Sequence, residues 1–136
     1  MNRIAVVGTG YVGLVSGSCL SDFGLNVICV DKDEEKIESL KRGVIPIFEP
    51  GLQPIVERNV YYKRLEFTTD LRQAVESCDV IFIAVGTPPA DDGSADLTYV
   101  EQVARDIILT FSFLINTKTQ ATTNLLTLFN LALCFI

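Results

Sequence analysis

Residues 3–31 read RIAVVGTGYVGLVSGSCLSDFGLNVICVD, and this stretch decides the fold. Arg3 to Val7 is a short β-branched apolar run, the pattern of a strand buried on both faces. It ends in the turn signal Gly8-Thr9-Gly10. From Tyr11 to Phe23, Val12, Val15, Cys19, Leu20 and Phe23 recur at helical spacing, which predicts a helix with that apolar face. Gly24 follows as a left-handed C-terminal cap. Asn26 to Val30 is a second buried strand, closed by Asp31. The order strand, glycine turn, helix, strand is the opening of a parallel α/β sheet.

The glycines Gly8, Gly10 and Gly13 have the G-x-G-x-x-G spacing of a dinucleotide-binding loop, and they lie between a strand and a helix as that chemistry requires. Gly8 permits the tight turn, Gly10 leaves room for a pyrophosphate to approach the backbone, and Gly13 lets the helix pack closely on the sheet. The helix N-terminus then offers unpaired N–H groups and a positive dipole end to the phosphates. A glycine-rich turn that serves packing alone is the competing reading. Asp31 lies eighteen residues beyond Gly13, near the spacing at which a carboxylate accepts from the adenosine ribose hydroxyls. Its charge would repel a 2′-phosphate, which favours NAD over NADP, although Lys32 and Lys36 soften that discrimination. Asp31 has a second reading as the cap of a helix starting near Glu34.

Outward from this core the alternation continues. Glu34 to Arg42 has acids first and bases last, as the helix dipole prefers. Gly43 to Pro54 is a loop rich in Pro and Gly, with Pro54 acceptable in the first turn of a helix running through Tyr62. Leu65 to Thr68 is a short strand, Leu71 to Ser77 a short helix, and Val80 to Val85 a central strand ending in Gly86-Thr87-Pro88-Pro89. After an acidic loop at 91–96, Thr98 to Thr110 has Tyr99, Val103 and Ile107 at helical spacing. The fold class is therefore α/β, a Rossmann-like doubly wound parallel sheet, expected to stop after about four strands.

Composition narrows the function. The 136 residues are 49% hydrophobic and 21% charged, values of a globular protein, and one domain fits the length. The net charge of −6 argues against nucleic acid and anionic membrane partners. With no histidine, Ser-His-Asp and Cys-His nucleophiles and His-based zinc sites are excluded within these residues. Cys19, Cys29, Cys78 and Cys134 form no C-x-x-C pair, so no metal site is expected and a reducing, cytoplasmic setting is the natural reading. The apolar run before Gly8 is too short for a secretory signal. Residues 107–136 hold a single charge, Lys118, and no Gly or Pro. The apolar pieces Ile107 to Ile115 and Leu125 to Ile136 each fall short of the roughly 20 residues that span a bilayer. We therefore expect a dinucleotide-binding domain over 1–110 and an apolar tail of foreign character over 111–136.

Longer motifs carry a resemblance. Residues 8–31 (GTGYVGLVSGSCLSDFGLNVICVD), 46–52 (PIFEPGL), 68–89 (TTDLRQAVESCDVIFIAVGTPP) and 92–107 (DGSADLTYVEQVARDI) are similar to the N-terminal, NAD-binding part of the UDP-glucose/GDP-mannose dehydrogenases. The EPGL motif at 49–52 and the VGTPP loop followed by DGSADL point to the UDP-glucose branch. The resemblance runs to about residue 107. It implies NAD as cofactor, with Gly8, Gly10, Tyr11, Val12, Gly13, Asp31, Lys36 and Thr87 lining its site. Lys36 is equally readable as a solvated helix lysine. Glu49 is read first as a cap for the helix near Leu52 and second as a substrate contact; Pro46 and Pro50 stiffen its loop and hold it clear of the cofactor groove.

In that family NAD oxidises a nucleotide sugar twice at C6, from alcohol to carboxylate, through a thioester on a cysteine, in homo-oligomers. The S-T-V-P-x-G strand, the assisting Glu, the Lys/Asn pair and the nucleophilic Cys with its Asp have no counterpart in these residues. The resemblance thus implies a cofactor half-site with no catalytic residue and the UDP-sugar substrate as a property of longer members. All four cysteines are expected to be structural or incidental.

Overall fold

The computed structural model describes residues 3–118 and 132–135. Strands β1 (Arg3–Val7), β2 (Asn26–Val30), β3 (Leu65–Thr68) and β4 (Val80–Ile83) form a parallel sheet, joined by a fifth strand, β5 (Ala132–Phe135), in the order β3-β2-β1-β4-β5. The chain steps outward from β1 through β2 to β3, crosses back, and adds β4 on the other side of β1. The carboxyl ends of β1 and β4 therefore flank the point where the winding reverses, which is where open α/β sheets bind ligands.

Alternation of side chains along the buried strands divides the core into two layers. Ile4, Val6, Val27 and Cys29 face α1 (Tyr11–Asp22), α2 (Glu34–Lys41) and α3 (Leu52–Tyr61), which contribute Leu14, Ile37, Leu40, Leu52 and Val56. Ala5, Val7, Ile28 and Val30 face α4 (Leu71–Ser77) and α5 (Thr98–Lys118), where Ala74, Val75 and Ile107 meet them. Each of the larger of these side chains contributes roughly 1.5–3 kcal/mol by leaving water. Both layers are needed because a parallel sheet has no face it can leave wet.

Three expectations change in detail. The buried face of α1 is not the stripe Val12, Val15, Cys19, Leu20, Phe23 but the small residues Gly13, Gly17, Ser18 and Ser21 with Leu14; Val12 and Phe23 are exposed. The helix lies so close to the sheet that a Cβ on Gly17 would come within 2.6 Å of the Cys29 sulfur. Ser18 and Ser21 tolerate this burial by donating to the Leu14 and Ser18 carbonyls of their own helix. In α5 the core face is Val100, Val103, Ala104, Ile107 and Phe111, which leaves Tyr99 half-exposed.

The third change concerns the expected boundary at 110/111, which falls inside a helix: α5 runs on to Lys118. Beyond it, Ala132 to Phe135 pair in parallel register with Val80 to Ile83. The sheet thus has one strand more than the four expected, and the extra strand comes from the tail. The rest of the apolar piece Leu125 to Ile136 lies outside the described residues, among which no helix is long and apolar enough to cross a membrane.

Candidate functional site: the crevice at the carboxyl ends of β1, β2 and β4

The three glycines of the turn after β1 do different things. Gly8 has φ +103°, and a Cβ there would lie 2.5 Å from the Ala84 carbonyl oxygen at the end of β4. At Gly13 a Cβ would lie 1.9 Å from the Gly8 carbonyl oxygen. Both are therefore demanded by the way the chain packs on itself. Gly10 is not: it has φ −68° and ψ −170°, open to any residue, and a Cβ there meets nothing within 4 Å. It sits at the N-cap of α1 without a side-chain cap, where the first-turn amides of a helix have no partner within the helix itself. Packing demands a glycine at Gly8 and Gly13 and places no such demand on Gly10.

Asp31, at the end of β2, is the most elaborately held side chain of the crevice. Its Oδ2 accepts from the Thr9 amide (2.9 Å), the Thr9 hydroxyl (2.6 Å) and the Lys36 ammonium (3.0 Å), while Oδ1 accepts from the Asp33 amide (3.1 Å). Partial burial pushes its pKa up, but these donors outweigh that cost and hold the carboxyl down at about 2. Asp31 is thus a fixed anion at neutral pH. It does not cap α2; Asp33 does, accepting from the Lys36 amide. Lys36 in turn is no free surface lysine, because its side chain is 28% exposed and its ammonium is paired to Asp31. Thr9 was not singled out by sequence. Its signal was slight: a hydroxyl residue between the first two glycines, buried here so that amide and hydroxyl both reach Asp31.

Tyr11 and Val12 form the exposed start of α1 beside the glycines. The Tyr11 hydroxyl donates to Glu49 across 38 residues, a pairing no spacing rule announces. That hydrogen bond, with some desolvation and the carboxylate's charge, raises the Tyr11 phenol above its ordinary pKa. Glu49 therefore does not cap α3 with its side chain; the N-cap is Gly51 at φ +85°, and only the Glu49 carbonyl meets the Leu52 amide. The loop of Pro46 and Pro50 is thereby tied to Tyr11 at the start of α1. Thr87 lies on the exposed segment Gly86 to Pro89 that leaves β4, next to the end of β1. The following loop folds back through a Pro89–Ala95 bridge, and the Ala90 amide donates to the Ser94 carbonyl at 2.7 Å.

Cys29 and Cys78 are free thiols buried in the two core layers. Burial pushes Cys29 up to about 12 and raises Cys78 as well, the opposite of what a thiolate nucleophile needs. Cys19 is a free, partly buried thiol on α1. Among the described residues no group of three or more potential ligands is placed to hold a metal.

A reversal of winding with a clear helix N-terminus and a fixed acid one strand away defines a dinucleotide-binding α/β domain. Residues 2–118 match the profile of the UDP-glucose/GDP-mannose dehydrogenase family, NAD binding domain. The chain belongs to that family and is its NAD-binding part. It is 58% identical over 107 residues to the UDP-glucose 6-dehydrogenase TuaD of Bacillus subtilis, and 60% identical over 106 residues to the UDP-glucose 6-dehydrogenase of Rhizobium meliloti. These alignments cover 79% and 77% of this chain but 23% and 24% of the relatives. The chain thus spans about a quarter of the length of the curated relatives it matches. Among solved structures, a ternary complex of GDP-mannose dehydrogenase from Pseudomonas aeruginosa superposes with a TM-score of 0.74 at 46% identity, over 77% of this chain and 24% of that one. A UDP-glucose dehydrogenase from Pyrobaculum islandicum gives 0.75 at 43% identity, over 79% and 25%.

Proposed function

We propose that residues 2–118 act as the NAD half-site of a UDP-glucose 6-dehydrogenase, an oxidoreductase that takes UDP-glucose to UDP-glucuronate in two NAD-dependent steps. In this reading the Gly8-Gly10-Gly13 turn and the exposed first turn of α1, with Tyr11 and Val12, receive the diphosphate. Asp31 accepts from the ribose hydroxyls of the adenosine. Lys36 and Thr9 position that carboxylate, and Thr87 meets the nicotinamide side of the cofactor. NAD when bound supplies a hydride acceptor; these residues bind and orient it.

The observation that carries the proposal is Gly10, a glycine that the chain's own packing does not require, at a helix N-terminus facing a fixed acid. Asp31 also bears on the choice of cofactor. Lys36 is spent on Asp31 itself, so the pair presents a carboxylate rather than a free cation to a 2′-phosphate, which favours NAD over NADP.

Within these residues we assign no catalytic group. The thiols in the two core layers are buried in their neutral form, which supports a binding role rather than covalent chemistry for this segment. The UDP-sugar site and homo-oligomer contacts belong, in this reading, to longer family members, and the protein works in the cytoplasm on a small molecule, without nucleic acid or membrane.

Calorimetric titration of the chain with NAD and with NADP tests this. The expected result is one NAD per chain, NADP at least about tenfold weaker because a phosphate must face the Asp31 charge, and no sustained NAD reduction when UDP-glucose is added. Equal affinity for the two cofactors, or none for either, contradicts it.

A further inference from the structure

The amino end of the sheet, opposite the crevice, carries a second concave and charged place. Parallel strands all begin on one side, so the residues that open β1, β2 and β3 meet there. Arg3 is in register with Asn26, and Arg64 stands one position before Leu65, which is in register with Val27. The Arg64 carbonyl accepts from the Val27 amide at 2.8 Å, which holds the turn before β3 against the start of β2. Around this row lies a cavity of about 250 Å³ lined by Arg3, Asn26, Val27, Lys63, Arg64 and Glu66.

Three cations and one carboxylate line the cavity, in a chain whose net charge is −6. Glu66 accepts from the Arg3 guanidinium at 2.9 Å, an exposed pair of the kind that contributes little. The other acids close by are engaged, Asp79 with the Arg3 backbone amide and Asp22 with Arg58. Arg64 donates its Nε to the Asn59 side-chain oxygen at 2.9 Å and lies 4.9 Å from the centroid of the Tyr62 ring. Its guanidinium is thus fixed in place, while its outer nitrogens, the Asn26 carboxamide and the Lys63 ammonium have no partner among the described residues.

Lys63 sets this place apart from an ordinary charged surface. It closes α3 in a left-handed conformation, φ +56°, with its amide on the Val60 carbonyl (3.0 Å) and the Arg64 amide on the Asn59 carbonyl (2.9 Å). Glycine serves that helix ending best, because a Cβ is strained there. Lys63 is the one residue other than glycine at positive φ among the described residues. The strain brings a third positive charge to the cavity, and the helix ending itself gains nothing from it.

We propose that this cavity is a binding site for a phosphate dianion, as the free ion or as a monoester. The Lys63 ammonium, the outer nitrogens of Arg64, the Asn26 carboxamide and an Arg3 guanidinium released from Glu66 hold it. A guanidinium presents paired donors that match phosphate oxygens, and a lysine adds a point charge. The site does not depend on the NAD reading, since Gly8 and Asp31 lie at the other ends of the strands. A dianion that binds only the folded chain ties together the starts of three strands and stabilises the sheet.

The test is amide-resolved NMR titration of the full chain with inorganic phosphate, against sodium chloride at equal ionic strength, with thermal unfolding in parallel. Saturable shifts at the Asn26, Lys63 and Arg64 amides are expected, with a higher Tm in phosphate than in chloride. K63G removes charge and strain together, so in chloride it should unfold at or above the wild-type temperature and yet bind phosphate about fivefold or more weakly. K63M keeps the strain and should lose as much affinity. E66Q, which frees Arg3, should bind about twofold or more tightly. Glycerol 3-phosphate in a parallel titration separates the two sources: tighter binding than inorganic phosphate assigns the site to a monoester, weaker binding to the free ion, and either supports it.

Shifts confined to the Gly8–Gly13 turn, or shifts that chloride reproduces at the same ionic strength, refute the site. A K63G protein that binds phosphate as the wild type does refutes it as well.

Discussion

The two sides of the crevice are built on different plans. At the end of β2, Asp31 is gripped by four donors from three residues and is held ionised before any ligand arrives. At the end of β4, Gly86 to Pro89 stand exposed, and the loop that follows folds back on them through the Pro89–Ala95 bridge and the Asp96 amide, which donates to the Pro88 carbonyl. Pre-organisation lowers the cost of binding on the side that has it. The adenosine side should therefore supply most of the affinity of this chain for NAD, with the Thr87 side contributing less.

The largest effect expected from breaking this contrast is at Gly13. G13A places a Cβ against the Gly8 carbonyl oxygen, a backbone atom that cannot move without undoing the turn. A loss of about 3 kcal/mol, at the upper end of overpacking costs, is expected. Thermal unfolding followed by circular dichroism should show it as a fall of roughly 10 °C or more in Tm.

Next is D31N, which removes the charge-assisted hydrogen bonds to which the proposed function assigns ribose binding, each worth about 1.5–3 kcal/mol. NAD affinity should drop by about tenfold to a hundredfold by calorimetry. The pH dependence has a definite sign. Because the folded carboxyl is depressed to about 2, the stability it adds over D31N is complete above the unfolded value of about 4. It is lost as the pH falls through about 2. Urea unfolding of the two proteins from pH 7 to pH 2 should converge over that window; parallel curves would remove the Asp31 network from the account. The smallest effect belongs to the exposed side: T87V should change NAD affinity by less than about threefold, and a larger loss would reverse the contrast.

Much of this was legible because it is periodic. The buried strands announce themselves as β-branched runs, and the glycine spacing with Asp31 locates the crevice. What sequence hid has physical causes. On α1 the apolar stripe suggested the wrong face, since a helix drawn tight onto a sheet by Gly13 must bury what is small, and Gly13, Gly17 and Ser21 at intervals of four were the better guide. The Asp31 grip runs through Thr9, whose hydroxyl matters only once β1 and β2 are side by side. Tyr11–Glu49 and Lys32–Tyr99 join segments far apart in the chain, and no local pattern foretells such pairs. The fifth strand was hidden for another reason: its run carries no turn signal to mark where it begins.

The sharpest test of the account is at Gly10. Serine is a preferred N-cap and Gly10 already has a φ and ψ that suit one. With nothing nearby for a side chain to strike, G10S should fold with unchanged or slightly higher stability. The same hydroxyl would occupy the space left for the diphosphate and satisfy helix amides meant for it. Titration of NAD into G10S, beside its thermal unfolding, should show a Tm at or above that of the wild type and an affinity at least about tenfold lower. A well-folded G10S that binds NAD as tightly as the parent would contradict the claim that the diphosphate is received at this turn.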